Sequence, residues 1–271
     1  MRKSRDGGRE VTRIKFVQTA DPEKYVRLLE VSSQGTRWFC DANGFEYEAF
    51  VGLKHGWHPW HATFNRIDLL VAALESGFDG WLIYLDADAF VVDLTFDLSA
   101  YLEYHADMAL IARASVPEDA PTWRINAGVL MFNLRHPAAA RIIRNWKRLF
   151  DLARLSGQLS VPPAWAVVDD QKLLQGLLWT FKGLLKFIHY EHPDLINGAH
   201  ATFIAQFLLS DVPDMDMRVA LVAERVRRAF AEAAIDPGAP CETRSGAPGF
   251  TVFAPSRATA LPVPIPGGPS R

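Results

Sequence analysis

Two aspartates that directly follow an apolar segment are the residues of this chain best suited to chemistry. Asp86 and Asp88 come after the run 81–85, in which every residue is apolar. In extended backbone, residues i and i+2 point to the same side, so the two carboxylates converge. Carboxylate oxygens suit hard divalent cations such as Mn²⁺ and Mg²⁺, which keep open positions for the phosphates of a ligand. The pair therefore predicts a cation site that faces a diphosphate.

The residues on both sides of Asp86 and Asp88 argue against the simpler explanation that the two aspartates only end a strand in solvent. Acidic residues often end a strand merely because they lie in solvent beside a turn. Here apolar residues stand on both sides of the pair, at 81–85 and at 89–92. Such flanks favour a position at the centre of a sheet and not on its rim, where exposed acidic residues are ordinary.

Strands and helices that alternate along the chain must position the pair. An unbroken apolar run is typical of a strand covered on both faces, so we expect a largely parallel sheet. Ligands of such sheets bind at the carboxyl ends of the strands, where Asp86 and Asp88 stand. The predicted strands span residues 13–18, 45–51, 81–85, 108–112, 127–133 and 185–189. The predicted helices span residues 22–31, 65–75, a long segment that Pro137 opens, 169–181 and 219–234. This order indicates an α/β fold.

Composition separates the two ends of the chain from its middle. Residues 1–10 carry four basic side chains and no apolar segment of the kind that a signal peptide has. They predict either a solvated, flexible terminus or a peripheral contact with a membrane of anionic lipid. Residues 236–271 are rich in proline and glycine, which predicts a flexible tail. The globular domain is therefore expected at 11–235.

The overall composition excludes several classes of protein. The chain has 29 basic and 31 acidic residues, so nothing favours a nucleic-acid-binding protein. Charged residues interrupt every apolar stretch before it reaches the length of a membrane span. Cys40 and Cys241 form neither a disulfide framework nor a metal-binding spacing. Together these features favour a cytoplasmic protein, and they leave its oligomeric state open.

Four motifs in a fixed order make the chain resemble the GT-A glycosyltransferases. They are Trp60 with Arg66-Ile67, the acidic strand 81–89, the segment 126–133, and Asp170-Gln171. Within that class they are similar to the GMA12/MNN10 galactosyl- and xylosyltransferase-like family, over about residues 12–210. The resemblance implies a nucleotide-diphospho-sugar transferase fold, in which helices flank a Rossmann-like, mostly parallel central sheet.

The resemblance also implies a reaction. A hexosyl or pentosyl group would pass from a UDP- or GDP-sugar to a glycan or another small-molecule acceptor, with retention of the anomeric configuration. The cofactor would be Mn²⁺ or Mg²⁺, which neutralises charge on the diphosphate as the sugar departs. Asp86 and Asp88 would bind this ion, and Asp86 would also contact the donor. The sequence leaves the sugar, the nucleotide and the acceptor open.

Three further residues are implied in donor binding. Arg66 would face the diphosphate, which a guanidinium binds with a planar fork. Asn126 and Gly128 would line the cleft, where a glycine lets the backbone approach the sugar. Two of them also have an ordinary structural explanation: a cation on a helix surface for Arg66, and a strand bulge for Gly128.

Asp170 and Gln171 are the implied catalytic residues. A carboxylate or an amide at this place would stabilise positive charge on an oxocarbenium-like sugar. Asp170 also has a structural explanation, because aspartate favours the cap and the first turn of a helix.

The chain departs from the family pattern at the late histidine that completes the metal site. Gln206 stands where that histidine is expected, and His192 and His200 lie nearby. Gln206 and His200 remain alternatives for the third ligand. The departure predicts weaker metal binding and leaves catalytic activity open.

Two other functions fit part of the pattern. A haloacid-dehalogenase-like phosphatase also carries Asp-x-Asp after an apolar strand, with the first aspartate as nucleophile. That motif normally continues into Gly-Thr, whereas Ala89-Phe90 follow here. A GT-A domain that binds a glycan or a partner without transferring a sugar also fits, because the late histidine is missing.

Overall fold

The structure is a computed structural model that describes residues 12–115, 123–160, 168–210, 212–236 and 251–253. Strands and helices alternate along these residues, as the sequence predicts. The strands are β1 (Arg13–Ala20), β2 (Glu46–Val51), β3 (Gly80–Asp86), β4 (Ala89–Val91), β5 (Leu110–Ala114), β6 (Ile125–Asn133), β7 (Ile188–Glu191), β8 (Ile196–Gly198), β9 (Ile204–Gln206) and β10 (Thr251–Phe253). The helices are α1 (Val26–Asn43), α2 (Asn65–Glu75), α3 (Leu98–Tyr104), α4 (Pro137–Leu155), α5 (Asp170–Thr180) and α6 (Met215–Glu232).

The main sheet consists of seven of these strands, in the order β10-β2-β1-β3-β6-β5-β7. Six of the seven run in one direction, and β6 runs antiparallel between β3 and β5. This arrangement confirms the predicted α/β fold with a mostly parallel central sheet.

Helices cover both faces of this sheet, as the apolar run at 81–85 predicts. Trp81, Ile83 and Leu85 pack in one core with α1 and α6. Leu82 and Tyr84 pack in a second core, with α2, α4 and α5. All five side chains are at most 2% exposed. Strand β3 is therefore the buried centre of the molecule, and it fixes Asp86 at its carboxyl end.

A second, three-stranded sheet begins just after β3 ends. Its order is β4-β9-β8, with β4 antiparallel to β9 and β9 parallel to β8. In the pairing of β4 with β9, Ala89 lies opposite Gln206. This register brings Gln206 beside the turn that carries Asp88, although 118 positions separate the two residues.

The first helix is longer than predicted and begins later. The prediction was 22–31, whereas α1 spans Val26–Asn43. Asp21 accepts hydrogen bonds from the backbone N–H groups of residues 23–25, which closes a turn before the helix. Gly44 ends the helix with a φ of 68°, a conformation that glycine adopts without strain. By contrast, α2 begins and ends at the predicted residues.

Two later elements also begin elsewhere than predicted. Residues Lys182–Phe187 form a 3-10 helix, so β7 starts at Ile188 and not at 185. Helix α6 starts at Met215, four residues before the predicted 219, because the Asp214 side chain accepts a hydrogen bond from the N–H of Met217 and caps it. The earlier start places Arg218 in the first turn of α6.

The two predicted ends of the chain fall mostly outside the described residues. This holds for the basic segment 1–10, and for the predicted tail 236–271 apart from Asp236 and β10, which pairs parallel with β2. Both assignments therefore stay predictions. Within the described part of the chain, no helix combines the length and the apolar character that a membrane crossing requires.

Candidate functional site

Asp86 and Asp88 converge at the carboxyl end of β3. Asp86 is the last residue of β3, and Asp88 lies in the short turn before β4. The Gln206 amide contacts both carboxylates, with its Nε2 at 2.8 Å from Asp88 Oδ1 and 3.5 Å from Asp86 Oδ2. The Asp86 side chain is 30% exposed. The carboxylate pair is therefore closed on one side by Gln206 and open on the other.

Arg66 lies beneath this pair and holds Asp86 in place. The Arg66 side chain is only 3% exposed, and its Nη2 donates to Asp86 Oδ1 at 2.7 Å. Its Nε is 3.0 Å from Asp170 Oδ2, and its Nη1 donates to the Ala127 carbonyl oxygen. The guanidinium also lies over the Tyr84 ring, 4.5 Å from the centroid. Arg66 thus connects α2, β3, β6 and α5.

The two neighbouring carboxylates repel each other, which favours the binding of a cation between them. Burial raises the pKa of Asp86 to about 6, because the attraction of Arg66 only partly offsets burial and Asp88 repels the second charge. Burial also raises the pKa of Asp88. For Arg66, burial disfavours the charge, but Asp170 and Asp86 outweigh it and raise the pKa. A divalent ion at the pair would relieve the repulsion between the two carboxylates.

A cavity of about 280 Å³ opens over the carboxylate pair. Trp60 and Tyr84 contribute to its wall, together with Arg218 from α6. Arg218 is 0% exposed, and its Nη1 is 3.5 Å from Asp88 Oδ2. Its Nε and Nη1 find no hydrogen-bond acceptor within the described residues. A buried guanidinium at a cavity wall, with two nitrogen donors that make no hydrogen bond within the described residues, is suited to an anionic ligand.

Arg218 is a residue of this site that sequence reasoning missed. The last helix was predicted to start at 219, which left Arg218 in the preceding loop. The available signal was Asp214, because an aspartate four residues earlier in the chain marks a helix start. That signal puts Arg218 on the first turn of α6 but does not reveal that this turn faces Asp88.

Asn126 and Gly128 lie where β6 approaches Gln206. The Asn126 Oδ1 accepts hydrogen bonds from the Gly128 N–H at 2.7 Å and from Asn197 Nδ2 at 3.0 Å. A methyl group at position 128 would overlap the Gln206 Oε1. Glycine is therefore needed here for a close approach between β6 and the Gln206 amide.

Asp170 and Gln171 lie behind Arg66 and do not line the cavity. The Asp170 carboxylate is buried at the start of α5, and burial raises its pKa to about 6 although Arg66 lowers it. The Gln171 Oε1 accepts a hydrogen bond from the Ala127 N–H at 2.9 Å. The structure therefore brings both residues next to Arg66 and β6.

Neither nearby histidine joins the carboxylate pair. His200 is exposed, and His192 lies 3.4 Å from Asp194 with its ring half exposed. Among the described residues, no histidine groups closely with Asp86 and Asp88. The third position beside the pair belongs to Gln206.

The donor atoms at this position fit a hard divalent cation. Asp86 and Asp88 supply carboxylate oxygens, and the buried Gln206 Oε1 has no hydrogen-bond partner within the described part of the chain. Rotation of the Gln206 amide by half a turn would direct this oxygen towards the carboxylates. An all-oxygen set of this kind favours Mg²⁺ or Mn²⁺ over softer ions.

Comparison with known proteins gives likenesses of structure alone. No protein-family model matches the chain, and no curated protein matches its sequence. One similar structure is a glycosyltransferase involved in the glycosylation of the major capsid of PBCV-1. Its TM-score is 0.57 at 13% identity, over 78% of this chain and 99% of that one. Another is the glycosyltransferase GlyE of Streptococcus pneumoniae TIGR4, with a TM-score of 0.50 at 16% identity, over 86% of this chain and 66% of that one.

The likeness to the PBCV-1 enzyme extends over nearly the full length of that protein. At such low identity the comparison concerns the fold and not the substrate. The chain therefore has the fold of the GT-A glycosyltransferases.

Proposed function

We propose that this protein is a divalent-metal-dependent glycosyltransferase that takes a sugar from a nucleotide-sugar donor. The observation that carries the proposal is the carboxylate pair of Asp86 and Asp88 at the floor of a cavity, with Arg218 in its wall. In a GT-A fold this position lies at the carboxyl ends of the strands, where ligands of α/β sheets bind. The acceptor would be a glycan or another small molecule.

Asp86, Asp88 and Gln206 are the residues that would hold the cation. When bound, Mn²⁺ or Mg²⁺ supplies positive charge that stabilises a diphosphate leaving group. Arg218 adds positive charge beside Asp88, and its buried Nε and Nη1 have no hydrogen-bond acceptor within the described residues. We assign it to the phosphates of the donor.

Arg66 supports this site from beneath, since its side chain is 3% exposed and it is not among the residues that line the cavity, whereas the resemblance implies a contact with the diphosphate. Its donors already reach Asp86, Asp170 and the Ala127 carbonyl oxygen. Its charge favours the ionised form of Asp86 against the effect of burial. We therefore propose Arg66 as a positioning residue that keeps Asp86 ready for a cation.

The catalytic roles of Asp170 and Gln171 rest on the family resemblance. Both lie beside Arg66 and β6 instead of in the cavity wall. Asp170 acts on the reaction through Arg66 in this arrangement, and Gln171 fixes the backbone between Asn126 and Gly128. Membership of the GMA12/MNN10 family, retention of configuration and the choice of a UDP- or GDP-sugar are proposals from the same motifs.

Donor binding is the experiment that tests the proposal. UDP- and GDP-sugars are titrated into the protein by calorimetry, with and without Mn²⁺. We expect one of them to bind only with the ion, and Asp86→Asn to abolish this binding while leaving the circular dichroism unchanged. Asp79→Asn is the matched control, because Asp79 is exposed and directly precedes the first residue of the same strand.

Three outcomes would overturn parts of the proposal. Unchanged donor binding in Asp86→Asn would remove the metal site. Donor binding without any sugar transfer to acceptors would identify a binding protein with a GT-A fold. Release of phosphate from simple phosphomonoesters, independent of nucleotide-sugars, would identify a phosphatase.

A further inference from the structure

Two histidines and a glutamate converge at the edge of the main sheet, away from the carboxylate pair. The residues are His105, His189 and Glu191, and one ligand atom from each lies within 4.8 Å of the others. Strand β7 is three strand spacings from β3, which amounts to about 14 Å. The cluster is therefore separate from Asp86 and Asp88.

Local structure explains why the three side chains meet. His189 and Glu191 are two positions apart on β7, so they point to the same face. His189 Nε2 lies 3.2 Å from Glu191 Oε2. His105 directly follows α3, and its ring lies 4.0 Å from the His189 ring, centroid to centroid. One helix end and one strand thus supply all three groups.

Hydrogen bonds from outside the cluster orient its carboxylate. The Tyr101 O–H donates to Glu191 Oε2 at 2.6 Å, and the His192 N–H donates to Glu191 Oε1 at 2.7 Å. Protein metal sites commonly fix their ligands with such outer hydrogen bonds. Partial burial protects the cluster, since the side chains of His189 and Glu191 are 33% and 14% exposed.

We propose that His105, His189 and Glu191 bind a transition-metal ion, with Zn²⁺ as the best-matched occupant. Two imidazole nitrogens and one carboxylate oxygen suit Zn²⁺ better than Mg²⁺, which prefers oxygen alone. Three protein ligands leave one tetrahedral position for water or another group. The bound ion joins the end of α3 to β7. This site is independent of the proposed sugar transfer.

Binding of the ion requires only small movements. Zinc bonds of about 2 Å place ligand atoms within about 4 Å of one another. The present spread of up to 4.8 Å closes with modest rotations of the two histidine side chains. The competing explanation is a His189–Glu191 ion pair with His105 packed beside it and no ion, and it predicts no response to Zn²⁺.

Zinc titration of the full chain tests the site. The protein is stripped with a chelator and titrated with Zn²⁺ by calorimetry, as wild type and as Asp86→Asn, which disables the other cation site. We expect one Zn²⁺ in both. His189→Ala should weaken binding roughly 100-fold or more, because loss of a ligand exceeds the effect of losing an outer hydrogen bond. Tyr101→Phe, which keeps the ring, should weaken it about tenfold.

Control variants separate this site from unspecific binding to histidine. His200→Ala removes an exposed histidine and should leave Zn²⁺ affinity unchanged. Glu191→Gln retains the shape of its side chain, and it replaces His189→Ala if that variant does not fold. Absence of Zn²⁺ binding in wild type overturns the proposal. Equal affinity in wild type, His189→Ala and Glu191→Gln overturns it as well.

Discussion

Position 128 illustrates how closely the carboxylate pair depends on its neighbours. Gly128 leaves just enough room for the Gln206 amide, which contacts Asp86 and Asp88. Gly128→Ala should displace this amide and weaken Mn²⁺-dependent donor binding about tenfold or more, as loss of a supporting group does at other metal sites. Calorimetry with Mn²⁺ and the donor measures the change.

Gly176→Ala is the matched control for this substitution. Gly176 is exposed on α5, and a methyl group there meets no atom within 4 Å. It should leave donor binding unchanged and stabilise the helix by about 0.5–1 kcal/mol. Equal donor affinity in both variants would show that the Gln206 amide has no part in the site.

The buried carboxyl of Asp170 makes stability depend on pH. Burial raises its pKa to about 6 from an ordinary 3.8, although Arg66 lowers it. The folded chain therefore holds this proton more tightly than the unfolded chain between these values. The contribution of the group to the free energy of unfolding falls as pH rises through this window, and its cost is fully present above about pH 6.

Asp170→Asn should consequently raise the melting temperature at about pH 7.5 and lose this advantage by about pH 4.5. Calorimetric melting in chelator-containing buffer at both pH values measures the difference. Asp79→Asn, an exposed aspartate, should change the melting temperature little at either pH. Equal destabilisation by Asp170→Asn at both pH values would instead show that the ion pair with Arg66 stabilises the fold.

At the scale of elements, helix α6 matters because its first turn delivers Arg218 to Asp88. Arg218→Met keeps the length of the side chain and removes the donors. It should weaken donor binding about 10- to 100-fold, since hydrogen bonds to charged groups contribute about 1.5–3 kcal/mol. Titration of the nucleotide-sugar in the presence of Mn²⁺ measures the loss.

Arg228→Met provides the comparison on the same helix. Arg228 is 61% exposed and pairs with Glu224, so its loss should leave donor affinity unchanged. If Arg218→Met binds the donor as tightly as Arg228→Met, then the buried guanidinium serves the packing of α6 and not the ligand.

Helix α1 shows where the prediction of a helix from the spacing of its apolar residues fails. The prediction ends at residue 31, and beyond it Ser32, Ser33 and Thr36 are small and polar and interrupt the apolar stripe. In the fold these residues are buried against the acidic turn: Ser32 Oγ donates to the Ala87 carbonyl oxygen at 2.7 Å, and Thr36 Oγ1 accepts from the Val91 N–H at 3.3 Å. Small polar residues here permit a close contact with β4 that no local pattern reveals.

The residues of the site differ in the same way: some follow from the local sequence, and others are placed only by long-range contacts. The carboxylate pair and strand β3 could be predicted, because an apolar run and its acidic end are adjacent in the chain. The roles of Gln206 and Arg218 could not be derived from spacing, because each meets Asp88 only through the pairing of β4 with β9 and the packing of α6. The family resemblance identified Gln206 as a candidate ligand, and only the structure revealed the position of Arg218 beside Asp88.

At the scale of the whole molecule, the reversed strand β6 assembles the cleft. Because β6 runs antiparallel to β3, the start of β6 lies beside the end of β3, with Leu85 paired to Val129. Asn126 and Gly128 therefore stand at the carboxyl end of β3, where a wholly parallel neighbour would place its last residues. The second sheet then closes this end through Gln206.

The last part of the chain should contribute little to the stability of this assembly. Residues 238–271 are dominated by proline, glycine and small side chains, which offer little apolar surface to bury. Within the described part of this segment, three residues of β10 pair with the edge of β2.

We expect deletion of 254–271 to leave the melting temperature unchanged, because it retains β10. Deletion of 238–271 should lower it by no more than a few degrees, since about 1 kcal/mol corresponds to about 2–4 °C for a domain of this size. Thermal melts of both truncations, followed by circular dichroism, measure the two contributions separately. A fall of more than about 10 °C in the melting temperature on deletion of 254–271 would mean that residues beyond β10 pack on the domain.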